Sequence, residues 1–128
     1  MSPRTVSVPL YLDPSRANVI ALDANNVGPL VLDGRDRGAI LELTATAGGV
    51  DRTFVSDGTW STGAADPGWN GDGFDATAWT PVADEGANGI GPWGPILGSS
   101  SAHWIWSYDS EIPASSKPAD EHVYLRRV

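Results

Sequence analysis

The sequence contains no cysteine, which excludes a disulfide framework and any thiolate-held metal. It does not fix the compartment, because secreted domains without disulfides are common. Basic residues are scarce: 8 Lys and Arg stand against 16 Asp and Glu, a formal net charge of −8. Nucleic acid and anionic membrane both need a basic surface, so the balance argues against either as a partner. The acids are scattered along the chain, which fits solubility. No apolar run approaches the length of a membrane helix, so membrane insertion is not expected. The opening Met1, Ser2, Pro3 and Arg4 lack the apolar core of a secretory signal. Solenoid periods, heptads, a G-x-S-x-G turn and a phosphate-cradling glycine loop before a helix are all missing.

What is present is 41% hydrophobic residues in a chain of 128, enough for one domain with a core. The 15 Gly and 10 Pro favour short strands and long loops over helices. The chain is organised around residues 60–94, which hold Trp60, Trp69, Trp79 and Trp93 among Gly, Pro, Asp and Asn. That density of Gly and Pro fits neither a long helix nor a regular strand. So many large aromatics do not belong in a disordered linker. The stretch is therefore read as ordered loops pinned by indoles on a β framework. Residues 74–79 read as one helical turn with Asp75 at its N-cap, Phe74 and Trp79 folding back onto a sheet.

In chain order, Val6, Val8, Leu10 and Leu12 alternate as a half-buried strand, and residues 13–15 turn. Residues 18–22 are apolar on both faces, the pattern of an interior strand. A polar loop around Leu30, Val31 and Leu32 follows. Residues 38–46 alternate with Ala39, Leu41, Leu43 and Ala45 inward, turn at Ala47, Gly48 and Gly49, and pair back through Thr53, Phe54 and Val55 as a hairpin. Two further strands are expected at 103–108 and 122–128, joined by a Pro- and Ser-rich connection read as mobile. About six short strands with turn signals between them specify an all-β chain, an antiparallel β-sandwich.

Three segments, T-F-V-S-D-G-T-W, P-G-W-N-G-D-G-F-D-A-T-A-W and G-A-N-G-I-G-P-W-G, carry a resemblance. They resemble the galactose-binding-like jelly-roll domains attached to many bacterial glycoside hydrolases, such as the accessory domains of α-L-rhamnosidases and β-galactosidases. Residues 18–26 resemble that family's N-V-I-A-V-x-A-x-N strand and residues 39–43 its next strand, so the likeness covers roughly residues 6 to 94. The A-H-W-I-W and V-Y-L-R-R segments resemble the family's first two strands but come last here, and its intervening strands are not visible. The jelly roll implied is thus circularly permuted, cut out of phase from a tandem array, or completed by another chain. An incomplete sandwich leaves an unpaired edge, from which self-association into a homo-oligomer is expected. The resemblance implies an extracellular or cell-surface setting.

Sugars present polar rims and apolar C–H faces, so a glycan site needs an aromatic platform beside fixed hydrogen-bonding groups. Trp69 with Asn70, Asp72 and Asp75 supplies that combination, and Asn88 and Trp93 add to it. Trp60 and Trp79 are read as wedges closing the sandwich; for Trp69 and Trp93 core and platform both stand. Asp66, Asp72 and Asp75 are hard oxygen ligands at short spacing, an arrangement open to structural Ca²⁺, although the spacing departs from the helix–loop–helix calcium loop. No other cofactor is expected. His103 and His122 fall at strand ends with no nucleophile motif beside them, and no acid pair stands out for glycoside hydrolysis. The chain reads as non-enzymatic, a lectin-like carbohydrate-binding module. The alternative is an assembly subunit joined through a strand edge. Arg126 and Arg127 read as a strand-end pair with one guanidinium over a Trp face.

Overall fold

The computed structural model describes residues 18–26, 38–91, 93–107 and 121–128. The expected strand at 6–12, the turn at 13–15, the segment around Val31, Tyr108 and the 109–120 connection lie outside the described residues. Among the described residues the chain is all-β: eight strands and no helix. They are β1 (Ile20–Asn26), β2 (Glu42–Ala47), β3 (Val50–Val55), β4 (Ser61–Gly63), β5 (Thr80–Pro81), β6 (Ala83–Ala87), β7 (His103–Trp106) and β8 (Glu121–Arg127).

All pairings are antiparallel. One sheet runs in the order β1-β8-β4-β5, a second is the β2–β3 hairpin, and a third pairs β6 with β7. The hairpin and the β6–β7 pair are joined at the base. Ala39 bridges Ile105 antiparallel, and Ser56 links Leu41 to His103. That link uses every polar group of Ser56. Its N–H donates to the Leu41 carbonyl (2.9 Å) and its carbonyl accepts the His103 N–H (2.7 Å). Its Oγ accepts the Leu41 N–H (2.9 Å) and donates to the His103 carbonyl (2.7 Å). Ser56 is wholly buried, so each of these bonds replaces water that cannot reach it.

The S-D-G-T-W segment is therefore structural at each step. Asp57 turns the chain by accepting the Thr59 N–H at 2.9 Å. Trp60 then drops into the core with its indole N–H on the Val55 carbonyl at 3.0 Å. The core joins Trp60, Val82, Ile105, Trp106, Val123 and Leu125, with Ile20, Leu22, Ala24, Ala39 and Leu41 packed against them. Val82 is the single residue between β5 of the first sheet and β6 of the third, and it is buried. The chain thus changes sheets at a buried corner. This arrangement of antiparallel sheets around one core is compatible with a β-sandwich.

The hairpin follows the sequence closely. Leu43 and Ala45 are half-buried while Glu42, Thr44 and Thr46 are exposed. The two-residue loop has positive φ at both Gly48 (59°) and Gly49 (79°), which lets its twist match that of the strands. Other expectations need revision. Residues 60–94 contain three strands, β4, β5 and β6, where none was expected. They are short, and Pro81 sits in an end strand where its missing N–H costs no ladder bond. Residues 74–79 form turns rather than a helical turn, with the Trp79 N–H on the Ala76 carbonyl at 3.0 Å. Among the described residues β1 is the end strand of its sheet, not an interior one.

Candidate functional site: an aromatic loop across the outer sheet face

Side chains alternate along β8. Val123 and Leu125 enter the core, so His122, Tyr124 and Arg126 share the opposite, outer face. Cross-strand partners lie on the same side of a sheet. Asp23 opposite Tyr124, Asn25 opposite His122, and Gly63 of β4 opposite Tyr124 therefore belong to the outer face too. Across it lies the tryptophan-rich loop, shaped by successive tight turns. The Trp69 N–H bonds the Asp66 carbonyl (3.0 Å) and the Gly71 N–H bonds the Gly68 carbonyl (2.9 Å).

The loop is fastened by rings. Trp69 stacks with Trp79 (centroids 6.1 Å apart, 17° between planes) and meets Tyr124 edge-on (5.1 Å, 63°). Phe74 meets Trp79 edge-on at 5.8 Å. The Arg126 guanidinium lies 5.5 Å from the Phe74 centroid and donates to the Gly71 carbonyl at 3.0 Å. One arginine does turn inward as expected, but over a phenylalanine rather than a tryptophan. Arg126 is 4% exposed, and its Nε has no hydrogen-bond partner among the described residues. Burying a guanidinium with a carbonyl and a ring face for company is costly, so the loop has to pack closely to hold it.

Trp69 is only half-buried, and Asn70, Asp72 and Asp75 of the same loop are exposed. The structure thus keeps Trp69 with its three polar neighbours on one loop. Asp75 has no helical turn to cap; its carboxylate instead closes a local turn by accepting the Thr77 N–H at 3.0 Å. The Thr77 backbone N–H, and after it the Thr77 hydroxyl, hold the Asp75 carboxyl below its ordinary value. Asp66 is exposed on the same loop. Among the described residues no three His, Cys, Asp or Glu side chains come together as a metal-holding group, so Asp66, Asp72 and Asp75 do not form one.

Asn88 and Trp93 are placed by other contacts. The Asn88 amide donates from Nδ2 to the Gly98 carbonyl (2.9 Å) and accepts the Leu97 N–H at Oδ1 (3.3 Å), clipping a neighbouring loop. Trp93 stacks on Trp104 of β7 (4.5 Å, 18°). A Cβ on Gly38 would come within 2.9 Å of Trp93 and 3.1 Å of Trp104, so Gly38 lets the backbone close over that stack.

Each histidine pairs with an aspartate. His103 Nδ1 lies 2.9 Å from both carboxylate oxygens of Asp84. Asp84 Oδ1 also accepts the Gly86 N–H (3.0 Å), across the register shift in the β6–β7 ladder. His122 Nδ1 lies 2.8 Å from Asp23 Oδ1, a pair formed 99 positions apart in sequence. The His122 ring stacks on Tyr124 (6.4 Å, 20°), which continues the ring series from Trp69 towards the Asp23 end of the face. Sequence reading placed Phe74 against the sheet but missed Asp23, His122 and Tyr124 as parts of this surface. The usable signal was the alternation of Val123 and Leu125 with His122, Tyr124 and Arg126, which marks a strand with two occupied faces.

Among the described residues no helix is long and apolar enough to cross a membrane. Comparison of the chain with protein-family models, with curated proteins and with solved structures finds no match.

Proposed function

We propose that this chain is a non-catalytic carbohydrate-binding module, a β-sandwich of the galactose-binding-like jelly-roll type with permuted strand order, that holds glycan on its outer sheet face. The observation that carries the reading is the half-buried Trp69, fixed edge-on to Tyr124, on the same loop as the exposed Asn70, Asp72 and Asp75. A platform held rigid before the ligand arrives loses little freedom on binding, which matters for weak sugar contacts. A module that captures glycan works where glycan is exposed, which favours a place outside the cell or on its surface. Structural calcium at the Asp66, Asp72 and Asp75 loop is not required by this reading.

Tryptophan-fluorescence titration alongside a glycan array tests it. Saturable quenching by a neutral sugar, abolished by Trp69→Ala in a protein that keeps its near-ultraviolet circular dichroism, is the expected result. A second reading, self-assembly through strand edges, is favoured by the hairpin, where Phe54 and Val50 are 41% and 59% exposed. Light scattering at rising concentration tests that reading; a monomer throughout excludes it.

A further inference from the structure

Asn-Gly occurs twice in the chain, at Asn70-Gly71 and Asn88-Gly89, and the fold treats the two differently. An asparagine before glycine can lose its side-chain amide when the next backbone nitrogen attacks the side-chain carbonyl carbon. Glycine permits this because it has no Cβ in the way and its backbone turns freely. Asn88 is held away from the reaction. Its Nδ2 donates to the Gly98 carbonyl (2.9 Å) and its Oδ1 accepts the Leu97 N–H (3.3 Å), so both ends of its amide are tied to residues 97 and 98. Asn70 is exposed, and among the described residues its side chain has no hydrogen-bond partner. The Gly71 N–H does donate to the Gly68 carbonyl at 2.9 Å. That turn bond lies beside exposed Gly68 and Asn70 in a surface loop, where local opening does not require the core to unfold.

From this we infer that Asn70 is a spontaneous deamidation site, and that its isoaspartyl product unfastens the tryptophan loop from the outer sheet face. The Gly71 backbone nitrogen gives its proton to solvent base and bonds to Asn70 Cγ. The Cγ–Nδ2 bond breaks, ammonia leaves with a proton from water, and a cyclic imide remains. Water then opens the ring. Cleavage at Cγ gives aspartate; cleavage at the α-carbonyl gives isoaspartate, whose main chain runs through Cβ and Cγ and is one carbon longer. The added length falls between two fixed points. Trp69 is held by Trp79 and Tyr124, and the Gly71 carbonyl accepts from Arg126 Nη2 at 3.0 Å. One of the two has to give. The carbonyl is the weaker hold, and its loss strands a buried guanidinium whose Nε already lacks a partner among the described residues. The inference is independent of the glycan reading.

The test ages the full chain at mildly alkaline pH, folded in buffer and unfolded in guanidinium chloride. Mass spectrometry reads each Asn-Gly peptide, and enzymatic carboxyl methylation counts isoaspartate. Expected are similar rates at the two sites in denaturant and, in the folded protein, conversion at Asn70 at least about tenfold faster than at Asn88. Isoaspartate at position 70 should lower Tm by about 5 °C or more. Asn70→Asp carries the same charge on a chain of normal length and should stay within about 2 °C of wild type. Asn70→Gln, whose longer side chain closes the ring far more slowly, should keep its Tm through the same ageing. Equal conversion at both sites in the folded protein, or an Asn70 that survives there while the denatured sample converts, overturns the site. Isoaspartyl protein that melts with the fresh protein, or an aged Asn70→Gln that loses as much Tm as wild type, overturns the unfastening.

Discussion

Replacing Gly63 with alanine places a methyl group inside the Trp79 indole. An ideal Cβ there would sit 2.5 Å from Cγ and Cδ1 and 2.6 Å from Cδ2, where ordinary contact begins at 3.4 Å. Gly63 is not among the glycines with positive φ, so its backbone accepts alanine and the whole effect is steric. The indole has to retreat by about 1 Å, which loosens its stack on Trp69 and its edge contact with Phe74. Overpacking of this kind costs about 1–3 kcal/mol, and weakening two aromatic pairs adds about 0.5–1.5 kcal/mol. A loss of about 3 kcal/mol corresponds to roughly 10 °C in Tm for a domain of this size. Urea unfolding and calorimetry read it, with Gly73→Ala as the control. Gly73 lies in the same loop with nothing within 4 Å of its would-be Cβ, so that change should be neutral or stabilise by about 0.5 kcal/mol. If Gly63→Ala stays within about 0.5 kcal/mol of wild type, the loop does not pack on the sheet as described.

Ser56→Ala strands the Leu41 N–H and the His103 carbonyl in a buried setting and should cost about 2–3 kcal/mol in urea unfolding; a neutral result would mean water reaches the joint. Arg126→Met removes a buried guanidinium while filling its space, so stability should stay within about 1 kcal/mol of wild type or rise, whereas Arg126→Ala should lose about 2 kcal/mol or more. A larger loss with Met than with Ala would contradict this. The Thr59 hydroxyl holds the Asp57 carboxyl below its ordinary value of 3.8, against a raising effect of burial, with help from the Thr59 N–H and the nearby Arg127 and His103. A lowered folded-state value means the stabilisation is whole above about pH 4 and is lost as the pH falls through the folded value. Asp57→Asn should therefore flatten the acid limb of the stability curve below about pH 4, and an unchanged limb would contradict the assignment. Chelation with EDTA should leave Tm unchanged, because Asp75 is committed to its own turn and the loop acids do not cluster; a fall of several degrees would show a bound cation.

The hairpin was legible because its signals are local. Alternating Leu43 and Ala45 with Thr44 and Thr46 marks a face, and the Gly48–Gly49 pair marks the turn. The strands β4, β5 and β6 were not legible. Ser61–Gly63 and Ala83–Ala87 carry no β-branched alternation, and their pairing is imposed by β8 and β7 from elsewhere in the chain. At the site, Trp69 and Asp75 announced themselves through loop chemistry. Asp23 and His122 did not, because only the β1–β8 register brings them together. Asn88 looked available as a free amide beside a tryptophan. In fact its partners are backbone groups of residues 97 and 98, bonds that composition does not reveal.

The slot that β8 fills, between β1 on one side and β4 on the other, has a bearing on how the chain is made. During synthesis the hairpin can form as soon as it leaves the ribosome, yet the largest sheet must wait for residue 127 to clear the exit tunnel. Until then Leu22 and Ala24 lack the strand that pairs with theirs, and the loop closure that ends the wait joins residues 99 positions apart. A nascent chain of this design keeps apolar strand edges on offer until β8 has emerged, the condition under which a holding chaperone matters most.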